Sequence, residues 1–304
     1  MKNILVYTVS PFSFTCGGLV VQYELCRIIR SLGINIRLHA PNKIMNSIFN
    51  RYYNGEFDLN ETIVIYGETI PGNPLNAPHV VRWILAPLGI AGASQRHTWK
   101  DTDLVYHFNP DKLFYNNENQ IGRIYKTLTP IYICRIIDNY NDPNRIGYCH
   151  TFRKSHYHKT IKYAHPPNQS MEITYQHKMI ECVNIFNKKY IFISYDPLTF
   201  LNIMAALCGC VSVVVKIDGM DEMDWLKTTA AYPYLKSKNL NKLYGIAYGL
   251  SEIDWAKNTL HLVKQQWNDI LKYLRETTIL PFLNDIRNIN DTTYLENNVI
   301  NNFG

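Results

Sequence analysis

No block of lysines and arginines longer than a pair occurs in the 304 residues, and charged side chains make up only 18% of them. The net charge of +6 is therefore spread thinly. That excludes the concentrated basic face used to hold nucleic acid, while leaving room for a small anionic ligand. A disulfide framework is missing too. The seven cysteines are an odd number, and several sit inside apolar runs, as reduced buried thiols of a cytosolic protein do. The pair Cys208 and Cys210 has no second Cys/His pair to complete a zinc site. MKNILVYTVS is too short an apolar run for a signal peptide, and no stretch has the length of a membrane span. These absences predict a cytoplasmic protein without a membrane span and leave peripheral association open. The Asn-x-Ser/Thr patterns at Asn60, Asn168 and Asn290 then carry no weight. There is no signal for an oligomeric state.

Phosphate-binding glycine motifs are also lacking. Neither Gly-x-Gly-x-x-Gly nor a Walker sequence occurs, which removes the main support for a dinucleotide oxidoreductase or a P-loop enzyme. There is no serine nucleophile elbow. Asp101-x-Asp103 has the spacing of a divalent-metal motif but precedes a strand of the first half, and His156-x-His158 stands alone; no metal site is predicted.

What is present is an alternation of strands and helices. The 46% hydrophobic content supplies a large core, and the length fits two domains. Asn3–Val9 reads as a buried strand. A glycine-containing loop follows, then a helix with Leu19, Tyr23, Leu25, Cys26, Ile29 and Leu32 at helical spacing, stopped by Gly33. INIRLHAP completes a βαβ unit. Strands are predicted at 62–66, 104–108 and 131–137, and a helix at 80–89. The Asn/Asp-rich segment 137–145 reads as a linker. Beyond it the pattern predicts strands at 147–152, 162–164, 189–194 and 211–217, helices at 170–183 and 197–208, and a helical region from 253 to about 289. The predicted fold is α/β, with two Rossmann-like domains facing a central cleft: residues 1–140 and 141–270. A helical extension, 271–304, crosses back to pack on the first domain.

Candidate site residues follow from this layout. Asp196-Pro197 is a helix-start signal, Asp as N-cap and Pro in the first turn, and it reads equally as a plain cap. Because it follows a buried strand, it also points to the carboxyl edge of the sheet, where open α/β sheets bind ligands and helix starts favour anions. Tyr195 and Thr199 flank it. Gly17 and Gly18 open the first helix and allow close backbone approach to a phosphate or sugar. Arg153 and Lys154 end the first strand of the second half, where two cations can neutralise a diphosphate leaving group. His97, His107 and Asp103 are acid/base candidates of the first half.

The features Gly17-Gly18, Arg145-x-Gly147-Tyr148-Cys149 running to Arg153-Lys154, Tyr195-Asp196-Pro197-x-Thr199 and Ala205-Ala206-Leu207-Cys208-Gly209-Cys210 resemble those of two-Rossmann-domain (GT-B type) glycosyltransferases. The closest resemblance is to the family 1/4-like group of bacterial and large-DNA-virus polysaccharide clusters. Pro71-Gly72-Asn73-Pro74 with Val80-Val81-Arg82-Trp83 is similar to segments of uncharacterised relatives. The resemblance implies transfer of a sugar from a nucleotide-diphosphate donor to a glycan or lipid-linked acceptor. It implies no cofactor and no metal. Acceptor binding falls to the first domain and donor binding to the second, with Arg153 and Lys154 on the donor diphosphate and Gly17-Gly18 beside it. The family's paired glutamates fall on Asp196, which keeps a carboxylate, and Met204, which keeps nothing polar; Ser212 stands where the family has proline. A nucleotide-sugar epimerase of the same fold and a non-catalytic nucleotide-sugar binder are the alternatives.

Overall fold

The computed structural model describes residues 3–8, 16–39, 58–86, 88–89, 93–109, 126–153 and 163–288. The chain divides into two units. One comprises Met1–Tyr132 and Tyr273–Gly304, the other Ile133–Lys272.

Unit 1 is built on a parallel sheet of β1 (Asn3–Tyr7), β2 (Ile36–His39), β3 (Thr62–Gly67), β4 (His79–Ile84), β5 (Leu104–His107) and β6 (Lys126–Thr127), in the order β2-β1-β3-β4-β5-β6. Helix α1 (Gly17–Ser31) connects β1 to β2. Strand β3, TIVIYG, is buried at every position, as a strand of a parallel sheet covered on both faces must be. Ile4, Val6, Ile63, Ile65, Val81 and Trp83 form one core with Tyr23, Cys26 and Ile29 of α1. Leu5, Val64, Tyr66 and Val80 point the other way and pack against Ile70 and Ala77 of the loop after β3. The alternation is the two-residue period of a strand.

Unit 2 carries β7 (Tyr148–Thr151), β8 (Ser170–Glu172), β9 (Ile191–Ser194), β10 (Val211–Val214) and β11 (Ile246–Tyr248), all parallel, in the order β11-β10-β9-β7-β8. Its helices are α2 (Met179–Lys188), α3 (Leu201–Leu207), α4 (Glu222–Lys227), α5 (Tyr232–Ser237) and α6 (Ile253–Thr259). Phe186 of α2 meets Phe192, and Asn202 of α3 bonds Ser212, so α2 and α3 cover one face. Ala256 of α6 packs with Ile193 and Val213 on the other. Helix α7 (Val263–Leu274), a π-helical turn at Arg275–Ile279 and α8 (Leu280–Arg287) follow. Pro281 has no N–H to give the carbonyl four residues back, which accounts for a widened turn just before it. Ile279, Phe282, Leu283 and Ile286 complete the α1 side of the unit 1 core.

The two sheets share one connectivity. Counted within each unit, both run 2-1-3-4-5, with a sixth strand added in unit 1. The winding direction reverses between β1 and β3 in unit 1 and between β7 and β9 in unit 2. These are the switch points at which a doubly wound sheet opens a crevice at its carboxyl edge.

Several sequence-based expectations need correction. Residues 79–84 are a strand and not a helix: Val80, Val81, Trp83 and Ile84 fill both sheet faces, and the run is too short for a helix before Pro87. The segment expected as one helix from 170 is strand β8, then a turn in which Thr174 N–H bonds His177 Nδ1, then α2. Residues 131–137 form no regular strand, and neither do Tyr163 and Ala164. Residues 137–145 are stitched to unit 2. Arg145 donates to Phe186 O, Cys208 O and Asn139 Oδ1, and Asp138 pairs with Lys264. Their polarity serves hydrogen bonding inside the unit.

Candidate functional site

At the unit 2 switch point, Thr151 of β7 lies opposite Ser194 of β9, and Tyr195 N–H bonds Thr151 O at 3.0 Å. The stretches after the two strands therefore leave the same sheet edge side by side, bringing Arg153 to the edge that carries Tyr195, Asp196 and Thr199. Arg153 is half-buried, and its guanidinium stacks 4.0 Å above the Tyr175 ring in the loop after β8. Lys154, His156 and His158 lie outside the described residues.

The 195–200 loop is pinned from several directions. Ser194 Oγ donates to Asp196 O, Asn202 Nδ2 donates to the same carbonyl, and Trp225 Nε1 donates to Pro197 O at 2.9 Å. Asp196 is 1% exposed, and its Oδ1 accepts Leu198 N–H at 3.1 Å. This corrects its expected capping role. It closes a turn within the loop, and α3 starts five residues later at Leu201 with Phe200 as N-cap and no capping side chain. Pro197 and Asp196 shape an Asx-type turn as readily as a helix start, and here the buried Ser194 and Asn202 select the turn. Thr199 Oγ1 accepts Leu201 N–H at 3.3 Å. Met204 is buried in α3.

Tyr195 is fully buried. Its hydroxyl accepts Ala164 N–H at 2.8 Å and meets His165 Nδ1 at 3.2 Å, and its ring packs on Phe152. His165 in turn lies 4.8 Å, ring to ring, from His150, whose Nδ1 meets Ser170 Oγ at 2.9 Å. Burial lowers the pKa of both imidazoles, and the neighbouring His150 adds to the effect on His165. Sequence reasoning missed this His150–His165–Tyr195 cluster. Its members come from three separate stretches, and only the period-two pattern of β7, which turns His150 to the same face as Phe152, hinted at it.

Cys208-Gly209-Cys210 ends α3. Gly209 N–H bonds Ala206 O, Cys210 N–H bonds Ala205 O, and Gly209 has φ +78°, a Schellman stop. Burial pushes the Cys208 thiol up to about 12, and Cys210 is raised as well. Both stay protonated and unreactive at neutral pH.

In unit 1, His97 is exposed on the 3-10 turn Arg96–Thr98, and His107 is buried as the last residue of β5. Asp103 is the counter-ion of Arg82, with Oδ2 2.7 Å from Nε. Arg82 also donates to Gly72 O and lies between the rings of Tyr66 and Trp99. Gly17 and Gly18 are the first residues of α1, at the carboxyl edge of the sheet. Cys16, the N-cap, supplies no capping hydrogen bond, and the first turn carries no acidic residue.

Two further side chains stand at this edge. Glu68, just past β3, is 8% exposed, and its Oε2 accepts Leu85 N–H at 3.0 Å. Burial raises its carboxyl above the ordinary 4.5 against the pull of backbone N–H groups. Gln22, on the inward stripe of α1, is 7% exposed, and its buried Oε1 has no hydrogen-bond partner among the described residues. The sequence offered one signal for each: an acid directly after a largely apolar strand, and an amide where helical spacing calls for an apolar residue.

Among the described residues no group of three or more His, Cys, Asp or Glu side chains could hold a metal ion, and no helix is long and apolar enough to cross a membrane. The chain matches no protein-family model and no curated protein.

Proposed function

We propose that the protein is a glycosyltransferase of the GT-B type, moving a sugar from a nucleotide-diphosphate donor to a glycan or lipid-linked acceptor. The observation that carries this reading is the unit 2 switch point. A doubly wound sheet of this order binds nucleotides where its winding reverses, and there the chain sets Arg153 beside the 195–200 loop. Arg153 supplies a permanent positive charge for the diphosphate that departs in the reaction, and among the described residues its guanidinium stacks on the Tyr175 ring. Lys154 adds a second charge in this proposal, which makes the chemistry independent of a metal ion. Two such sheets in one chain agree with separate donor and acceptor units.

The test is calorimetric titration of nucleoside diphosphates and their sugars into the wild type and the Arg153→Ala/Lys154→Ala variant. One nucleotide should bind, and the variant should lose about 2–3 kcal/mol of affinity, the scale of charge-assisted hydrogen bonds. Equal affinity for the two proteins refutes the assignment.

One observation favours a non-catalytic binder as the second reading. Of the two positions aligned with the family's acidic pair, Asp196 spends an oxygen on Leu198 N–H in a buried turn, and Met204 is an apolar core residue. Nucleotide binding without transfer or hydrolysis across a donor panel would select it. Turnover of a nucleotide sugar with no acceptor present would instead select an epimerase.

A further inference from the structure

We propose that the protein pairs with a second copy of itself through the amino edge of the unit 2 sheet, around a pocket beside α2. This edge is opposite the one that carries Arg153 and Tyr195, so the inference does not depend on the transferase reading.

The surface is assembled from three segments that the backbone ties together. Ile146 N–H donates to Lys188 O at 2.9 Å, and Tyr190 N–H donates to Gly147 O at 3.1 Å. Cys149 lies opposite Met171 in the β7–β8 pairing. The loop before β7, the C-terminal end of α2 and the edge strand β8 thus meet. Between them opens a pocket of about 460 Å³, to which Ile146, Met171 and Ile185 give an apolar lining and Asp142, Lys188 and Lys189 give charge.

Two observations mark this surface as an interface. First, Ile146 is 68% exposed, and Tyr148, Met171 and Tyr190 around it are exposed as well. Apolar side chains exposed singly are ordinary, but a group of them around a pocket marks a contact surface. Second, Asp142, Lys188 and Lys189 line one pocket, yet none of them has an ion-pair partner among the described residues. Asp142 Oδ1 accepts Asn144 N–H at 2.8 Å, which holds the carboxylate in a short turn.

The charges select the occupant. An anionic bilayer would be drawn by the two lysines but repelled by Asp142 and by Glu172, which is exposed next to Met171. A second copy answers both signs at once. In a two-fold contact each residue meets its complement on the other molecule, and the complement meets it in return. Asp142 of each copy then faces Lys188 and Lys189 of the other, and Ile146 of each fills the other's pocket. The apolar centre supplies the affinity, while the charges around it fix the orientation.

Sedimentation velocity of the full chain over a concentration series tests this. The wild type should dimerise, and Ile146→Asp should raise the dimer dissociation constant at least about tenfold, as loss of a central interface side chain does. Ile146 is exposed, so that variant should keep the near-UV circular dichroism of the wild type. Should it fail to fold, Met171→Lys on the same surface carries the test. Charge reversal then examines the two-fold. Asp142→Lys and Lys188→Glu/Lys189→Glu should each dimerise more weakly than wild type, whereas an equimolar mixture of the two should recover a heterodimer close to wild-type strength. A folding defect in either variant would persist in the mixture, so recovery reports facing charges. A wild type that stays monomeric at every concentration, a dimer unchanged by Ile146→Asp and Met171→Lys, or charge variants that fail to rescue each other overturns the proposal. A monomeric wild type that sediments with phosphatidylserine vesicles would give the surface to a membrane and overturn it as well. Arg153→Ala/Lys154→Ala should dimerise as the wild type does, so the failure of either reading leaves the other standing.

Discussion

Arg82 shows how little of a buried charge is decided by one residue. Its guanidinium and the Asp103 side chain are 1% and 4% exposed, and the arginine also spends an N–H on Gly72 O and its faces on two aromatic rings. Taken alone, Asp103 resembled an acid/base group or part of a metal motif. The structure gives it to a partner 21 positions earlier in the chain. Asp103→Ala should therefore cost about 3–5 kcal/mol, because it strands a charge without water or counter-ion. Urea denaturation followed by near-UV circular dichroism would measure it. A loss below about 1 kcal/mol, the scale of a surface pair, would mean that the pair is solvated in solution.

Among the elements, α3 is the most instructive. Its stop was legible, since Gly209 between two buried cysteines is the residue that a left-handed turn requires. Its start was not. Asp196-Pro197 carries the letters of a helix start, but the hydrogen bonds that decide the matter come from Ser194, Asn202 and Trp225, and no local pattern announces them. The same limit separates the strands that were read correctly, such as β3 and β9, from β4. Short apolar runs fit either period, and only the neighbours on both sides settle which one holds. The site divided along similar lines. The sheet edge at Arg153 and Tyr195 followed from element order, whereas Gln22, Glu68 and the His150–His165 pair depended on contacts between distant segments. The α3 stop also gives a sharp expectation. At Gly209 a Cβ would lie 2.6–2.8 Å from the Asn139 side chain, at a φ of +78°. Asn139 Oδ1 is one of the acceptors of Arg145. Gly209→Ala should destabilise unit 2 by at least about 2 kcal/mol, since strain and collision add. Differential scanning calorimetry checks this, and a melting temperature equal to wild type contradicts it.

For the whole molecule, acid is the informative perturbation. His150 and His165 have folded-state pKa values below the 6.5 of a free imidazole, chiefly through burial. Unfolded chains thus take up protons that the folded unit refuses. The stability of unit 2 is complete above about 6.5 and falls as pH drops from there through the folded pKa. Thermal unfolding followed across this range should show a declining transition in wild type and a flatter one in His165→Phe. A pH-independent transition in wild type would contradict the account. The division into two α/β units, together with core strands such as β1, β3 and β9, is the part of this picture that composition and element alternation foretold.

Unit 1 draws its core from both sides of unit 2 in the chain, for Ile279, Phe282, Leu283 and Ile286 arrive only after residue 272. On a translating ribosome the usual precedence of the N-terminal domain is then reversed. The middle 140-residue segment, Ile133–Lys272, can close its sheet while the strands made before it still await a cover. Until that last helix clears the exit tunnel, the early strands expose an apolar face, and a chaperone that shields nascent chains would have its greatest effect there.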